Sequence, residues 1–276
     1  MKNTLLRLAL FSLALVLLPS LRAAGTVQLG LQTWTCNRMS FDEVVDFAVK
    51  HHLTQLQFIS GQFDPEGSRE ETLRKKAILE AKGLTCYTFG VSKTTLDKEQ
   101  NRKLFEFAKL IGAKLIVVEP QNLAEWDNLE QLVKEYDIKL AIHNHGKGSA
   151  YGDPATVQGV LAKRDHRIGV CLDIGWITAA GFDAAKIFST YGDRVYDIHF
   201  KDKKVEAGAD GKDAIIDVAL GTGSANYPGL FAAIKQSGWS GVMAIETDSR
   251  AFQTDPNQLV TEGAKFFSAN LGSASK

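Results

Sequence analysis

From Val27 onward the chain alternates short apolar runs with amphipathic helical patterns, and it does so eight times. This order is a strong constraint. Strands separated by helices run parallel, and a parallel sheet is covered by those helices. The runs occupy 27–34, 56–59, 84–91, 114–119, 139–143, 168–173, 195–200 and 241–246. Eight β/α units in roughly 250 residues match an α/β chain closed into a (β/α)8 barrel. A doubly wound open sheet is the competing arrangement. It loses ground because no G-x-G-x-x-G follows the first run, where a dinucleotide fold would carry it.

The intervening segments carry helix signals. Ser40 suits an N-cap, and Phe41, Val44, Val45 and Ala48 then share one helical face. Ser68 followed by Glu71 reads as a capping box, and Gly83 ends that helix. Further helices are predicted over 97–111, 123–136, 182–191 and 227–237, with a short one after Pro154 and a last one ending near Leu271. No linker rich in Pro, Gly or Ser divides the chain, so 25–276 is read as a single barrel domain.

Residues 1–24 read differently. Lys2 and Arg7 precede an apolar run over 8–18, which Pro19 and the small residues around Ala23 and Ala24 close. This is the layout of a secretory signal peptide, and the run is short for a membrane span. The expectation is a secreted or periplasmic protein, with no membrane partner after cleavage. The whole chain balances 32 basic against 32 acidic residues. Loss of Lys2, Arg7 and Arg22 leaves a small acidic excess, which argues against a nucleic-acid partner. Cys36, Cys86 and Cys171 lack C-x-x-C spacing and read as small core residues, with one disulfide as the ceiling. The sequence carries no sign of a particular oligomeric state.

Chemistry in such a barrel gathers at the C-terminal ends of the strands. Five consecutive runs end there in titratable residues. Run four ends in Glu119, run five in His143-Asn-His145, run six in Asp173, run seven in His199-Phe-Lys201-Asp202, and run eight in Glu246-Thr-Asp248. Such groups are costly to bury alone, and a divalent cation is a natural common partner. Imidazole with carboxylate suits Mn, Co, Zn, Fe or Mg. His51, His52 and His166 lie off the strand ends and are given no role.

Together these stretches resemble the sugar phosphate isomerase/epimerase family, with its xylose-isomerase-like barrel. The segments that carry the likeness are Ile142-His-Asn-His-Gly146, Gly169-Val-Cys-Leu-Asp-Ile-Gly175, Asp197-Ile-His-Phe-Lys-Asp202, Gly221-Thr-Gly223 and Ala244-Ile-Glu246. The resemblance spans nearly all of 25–276. It implies a divalent metal held by His143, Asp173, His199 and Glu246. It also implies a sugar whose C–H next to a carbonyl is deprotonated. Two departures stand out. Many members have Glu where this chain has His143, and many read Asp-x-Gly-His where it reads Asp173-Ile-Gly-Trp176. A closer likeness is to secreted bacterial members that resemble lyases or hydratases of 3-keto-glycosides.

The resulting expectation is a metal-dependent sugar isomerase or epimerase. A lyase or hydratase using the same enediolate chemistry is the alternative, and a non-catalytic sugar-binding barrel is a second one. An apurinic-site nuclease on the same fold ranks last, because the chain has few histidines and no basic excess. Glu119 and His145 are the acid–base candidates, in no set order, and Lys201 is expected to steady an oxyanion. Trp34, Asn144 and Trp176 are the expected sugar contacts. Phe63 and Trp126 are further aromatic candidates for stacking, but they read as core. Gly221-Thr-Gly223 reads as a tight turn rather than an anion site.

Overall fold

The computed structural model describes residues 25–208 and 213–272; the segment read as a leader, 1–24, lies outside them. Eight parallel strands close into a barrel. They are β1 (Val27–Gln32), β2 (Gln55–Phe58), β3 (Thr85–Ser92), β4 (Leu115–Val118), β5 (Lys139–His143), β6 (Ile168–Asp173), β7 (Val195–Phe200) and, last in the chain, β10 (Gly241–Ile245). The order around the barrel is β1-β10-β7-β6-β5-β4-β3-β2. Each strand neighbours its predecessor, as right-handed β/α crossovers require.

The helices match the periodicity closely. α1 (Phe41–Lys50) buries Phe41, Val44, Val45 and Ala48, the predicted face. Its N-terminus carries a full capping box, in which Ser40 accepts from Glu43 N and Glu43 reaches back to the Ser40 backbone. In α2 (Arg69–Ala81) only half of the predicted box forms. Ser68 accepts from Glu71 N, but the Glu71 carboxylate turns outward to grip Arg74 through two hydrogen bonds. A bidentate guanidinium outcompetes a backbone N–H for that carboxylate. The chain continues through α3 (Lys98–Ile111), α4 (Glu125–Tyr136), α5 (Pro154–Leu161), α6 (Ile174–Ala179), α7 (Ala184–Tyr191), α8 (Tyr227–Ser237), α9 (Arg250–Thr254) and α10 (Asn257–Leu271).

The core lies between barrel and helices. Phe63 packs with Phe41, Phe58 and Phe107, and Trp126 is buried with its Nε1–H donating to Tyr151. Both are therefore core residues. All three cysteines are free and buried.

One insertion has no counterpart in the eight predicted units. Between β7 and α8 an antiparallel hairpin projects, formed by β8 (Asp202–Ala207) and β9 (Asp213–Val218), with Asp202 opposite Val218. β9 is largely exposed, so no apolar alternation marks it. Among the described residues no helix is long and apolar enough to cross a membrane.

Candidate metal centre and acid–base pair

Barrel order and register assemble the site. β5, β6, β7 and β10 are consecutive neighbours; His143 and Asp173 are the last residues of their strands and His199 is the last but one of its own. Asp173 is in register with His199, while Glu246 follows the last residue of β10 and donates its N–H to the Phe200 carbonyl. All four side chains are buried, and one donor atom from each lies within 4.8 Å of the others. His143 Nε2 is 3.1 Å from His199 Nδ1 and 3.5 Å from Asp173 Oδ2. His199 Nδ1 is 2.6 Å from Glu246 Oε2 and 3.7 Å from Asp173 Oδ2.

This donor set fits a divalent cation. Asp173 Oδ2 and Glu246 Oε2 are buried without a hydrogen bond of good geometry, and they face two imidazole nitrogens. Ligand bonds of about 2.0–2.2 Å to a single ion would bring N and O donors to separations of this size. The local field also favours positive charge. Burial works against ionisation at each group, yet the neighbours outweigh it. Lys201, then His143 and His199, hold Asp173 well below the usual carboxylate range. His199 and Lys201 hold Glu246 at about 2. The imidazoles move the other way: Cys171, Glu246 and Asp173 raise His199 well above the usual range, and Asp173 and Glu119 raise His143.

Beside the centre, at the end of β4, Glu119 Oε2 accepts from His145 Nδ1 at 2.6 Å and lies 3.9 Å from His143 Nδ1. These contacts overcome the burial of Glu119 and hold its carboxyl at about 2. The His145 side chain remains 42% exposed against 11% for Glu119. With Nδ1–H committed to Glu119, the other nitrogen of His145 is left with a lone pair. A histidine oriented in this way by a carboxylate is equipped to accept and return a proton.

Residues 43–270 match the family described as xylose isomerase-like TIM barrel. The chain belongs to that family. Among curated proteins, an inosose dehydratase from Lacticaseibacillus casei is 24% identical over 224 residues, covering 66% of this chain and 75% of the relative. Two solved structures share the fold. An IolI protein with a bound zinc atom superposes with a TM-score of 0.70 at 14% identity, over 90% of this chain and 99% of that one. The probable 3-DHS dehydratase AsbF from Bacillus anthracis gives 0.67 at 16% identity, over 88% and 99%.

Within this xylose isomerase-like barrel, several expected contacts have other duties. Asn144 is buried, and both ends of its amide bond to the Asp173 backbone, so it braces Asp173. Trp176 has the Lys203 ammonium 3.8 Å from its ring centre and the His145 ring edge-on at 5.7 Å. The face beneath Lys203 is closed to a sugar by that cation–π contact. Lys201 is buried between Glu246 at 3.1 Å, Asp173 at 3.3 Å and Asp248 at 2.9 Å, and these carboxylates raise its pKa against the effect of burial. It acts as an internal counter-ion, with its ammonium already surrounded. Trp34 is 41% exposed and donates its indole N–H to Asp248 at 3.1 Å, so its ring remains available at the mouth.

The side chains that brace this face carry no signal in their local sequence. Lys203 pairs with Asp217 and Asp248, and Asp217 also accepts from Thr247 Oγ1, which ties the hairpin to the β10 loop. The Gly221-Thr-Gly223 turn does hold an anion, but an internal one. Gly221 N and Gly223 N donate to Asp202 Oδ2 at 3.0 and 2.8 Å. Gln57, inside β2, accepts from His199 Nε2 at 2.9 Å.

Proposed function

We propose that this chain is a divalent-metal-dependent sugar-modifying enzyme that removes water from a keto-polyol or keto-sugar. His143, Asp173, His199 and Glu246 hold the ion. A bound ion there would polarise a ketone and acidify the neighbouring C–H. His145 takes that proton on its free nitrogen, and Glu119 stabilises the imidazolium formed. The C–O bond to the adjacent hydroxyl breaks, its electron pair leaves with oxygen, and His145 returns the proton so that water departs. Trp34 offers an apolar face at the mouth.

One observation favours elimination over epimerisation. Inverting a carbon requires removing a proton from one face and delivering one to the other. Among the described residues, the carboxylates near the centre that are not proposed ligands are already engaged. Glu119 is taken by His145, Asp248 by Lys201 and Lys203, and Asp197 by Tyr87 and Cys171. That leaves one acid–base pair, and a single group that accepts a proton and gives it back serves elimination. The curated relative named inosose dehydratase supports the same reading. The secreted or periplasmic setting rests on the pattern in residues 1–24 alone.

The test is proton NMR in D2O with an inosose and with a 3-keto-glucoside, with and without chelator. Chelator-sensitive loss of the C–H signal beside the ketone, together with an unsaturated product, is expected. Exchange into recovered or epimerised sugar with no loss of water would replace dehydration by isomerisation. Saturable binding without exchange would make the chain a binding protein.

A further inference from the structure

We infer that Gln57 is a positioning residue that sets which nitrogen of His199 faces the metal centre. The inference rests on the metal reading above. Gln57 lies on β2, fully buried, and reaches across the barrel to β7. Its amide orientation is forced by a backbone group. Gln57 Nε2 lies 3.3 Å from the Gly90 carbonyl oxygen, which also accepts from Gln32 Nε2 at 3.0 Å. A carbonyl oxygen only accepts, so the NH2 end of Gln57 points at Gly90 and its oxygen points at His199. An amide oxygen likewise only accepts. His199 Nε2 therefore keeps its proton in either charge state, and once the ring is neutral it is Nδ1 that presents the lone pair toward His143, Asp173 and Glu246.

The carbonyl that starts this chain of constraints is itself held in place. Gly90 has φ +134°, and a Cβ there would collide with the Val117 carbonyl oxygen, so the position admits only glycine. Gln32 is anchored at its other end, where its oxygen accepts from Trp34 N at 2.9 Å. A rigid line thus runs from the first strand, through the Gly90 carbonyl and Gln57, to a proposed ligand on β7, three strands from β2. Histidine ligands generally donate their second ring N–H to an outer acceptor, and loss of that acceptor weakens metal binding about 10–100-fold.

The experiment compares wild type with Gln57→Leu and Gln57→Glu. Zinc affinity is read by competition with a chromophoric chelator, and the His199 Nε2–H proton is read by NMR in the metal-free protein. Gln57→Leu should bind zinc about 10–100-fold more weakly and lose the downfield, exchange-protected Nε2–H signal. Gln57→Glu keeps an acceptor for Nε2 while losing the amide bond to Gly90, so it should keep the Nε2–H signal and bind zinc more tightly than Gln57→Leu, which separates loss of the acceptor from general damage to the barrel. Wild-type zinc affinity in folded Gln57→Leu, or a Gln57→Glu that retains the Nε2–H signal yet binds zinc no better than Gln57→Leu, overturns the inference. If wild type binds no divalent ion, the metal reading fails, while the Nε2–H signal still decides whether Gln57 orients the ring.

Discussion

Replacing Lys201 with Met separates an internal counter-ion from a group kept free for substrate. The Lys201 ammonium is buried, 3.1 Å from Glu246, 3.3 Å from Asp173 and 2.9 Å from Asp248. Met preserves much of the apolar stem and removes the charge. Breaking a buried ion pair from one side leaves its partners uncompensated and costs about 3–5 kcal/mol. For a domain of this size that is a fall in Tm of about 6–20 °C without metal. The loss should depend on pH in a stated direction. Glu246, whose pKa is depressed in the fold, contributes stability above the ordinary carboxylate pKa of about 4 and loses it as the pH falls toward about 2. The penalty in Lys201→Met is therefore full at neutral pH and shrinks in acid. A divalent ion supplies positive charge to the same carboxylates, so it should stabilise the variant more than wild type. Binding at a hundred times Kd adds about 2.7 kcal/mol to either protein; a larger rise in Tm for the variant signals tighter binding. Thermal melts with and without zinc, at neutral and acid pH, measure all of this. A metal-free Lys201→Met that melts with wild type, or an equal metal shift in both, would refute the counter-ion assignment.

Other outcomes follow from the same geometry. His145→Ala should lower kcat by about 10²–10⁴-fold with little change in metal content, because it removes the proton-transfer group and no proposed ligand. Glu119→Gln should cost less, about 10–100-fold, since a hydrogen bond to a charged group is worth about 1.5–3 kcal/mol; a single-turnover assay distinguishes the two. His199→Ala should abolish both metal binding and turnover, and full activity in that variant would remove it from the ligand set. Apparent metal affinity should fall as pH drops through the titration of His143 and His199, whose raised pKa values let protons compete with the ion. Gly223→Ala should destabilise the chain by about 1–3 kcal/mol, measured by urea unfolding, because the new Cβ would strike the Asp202 carboxylate.

The parts of this molecule that were legible from sequence are those in which a local pattern and a global requirement coincide. Alternating apolar runs and amphipathic helices state the barrel outright, since each run must be a buried parallel strand and each helix must cover it. His143, Asp173 and His199 were visible for a related reason. A titratable residue closing an apolar run has its position along the barrel axis set by the run, so several of them must meet at one rim. What escaped notice depends on partners that no local window contains. Asn144 looks like a site residue until its amide is seen bonded at both ends to Asp173, 29 residues away. The β8–β9 hairpin leaves β9 mostly in water, so burial imposes no period on its sequence. Gln57 is separated from His199 by 142 residues. The signal for it was present nonetheless, as a glutamine in the middle of a short apolar run. In a barrel strand too short to waste an inward position, such a residue must satisfy its amide across the interior, and that demand makes it a candidate for holding something at the centre.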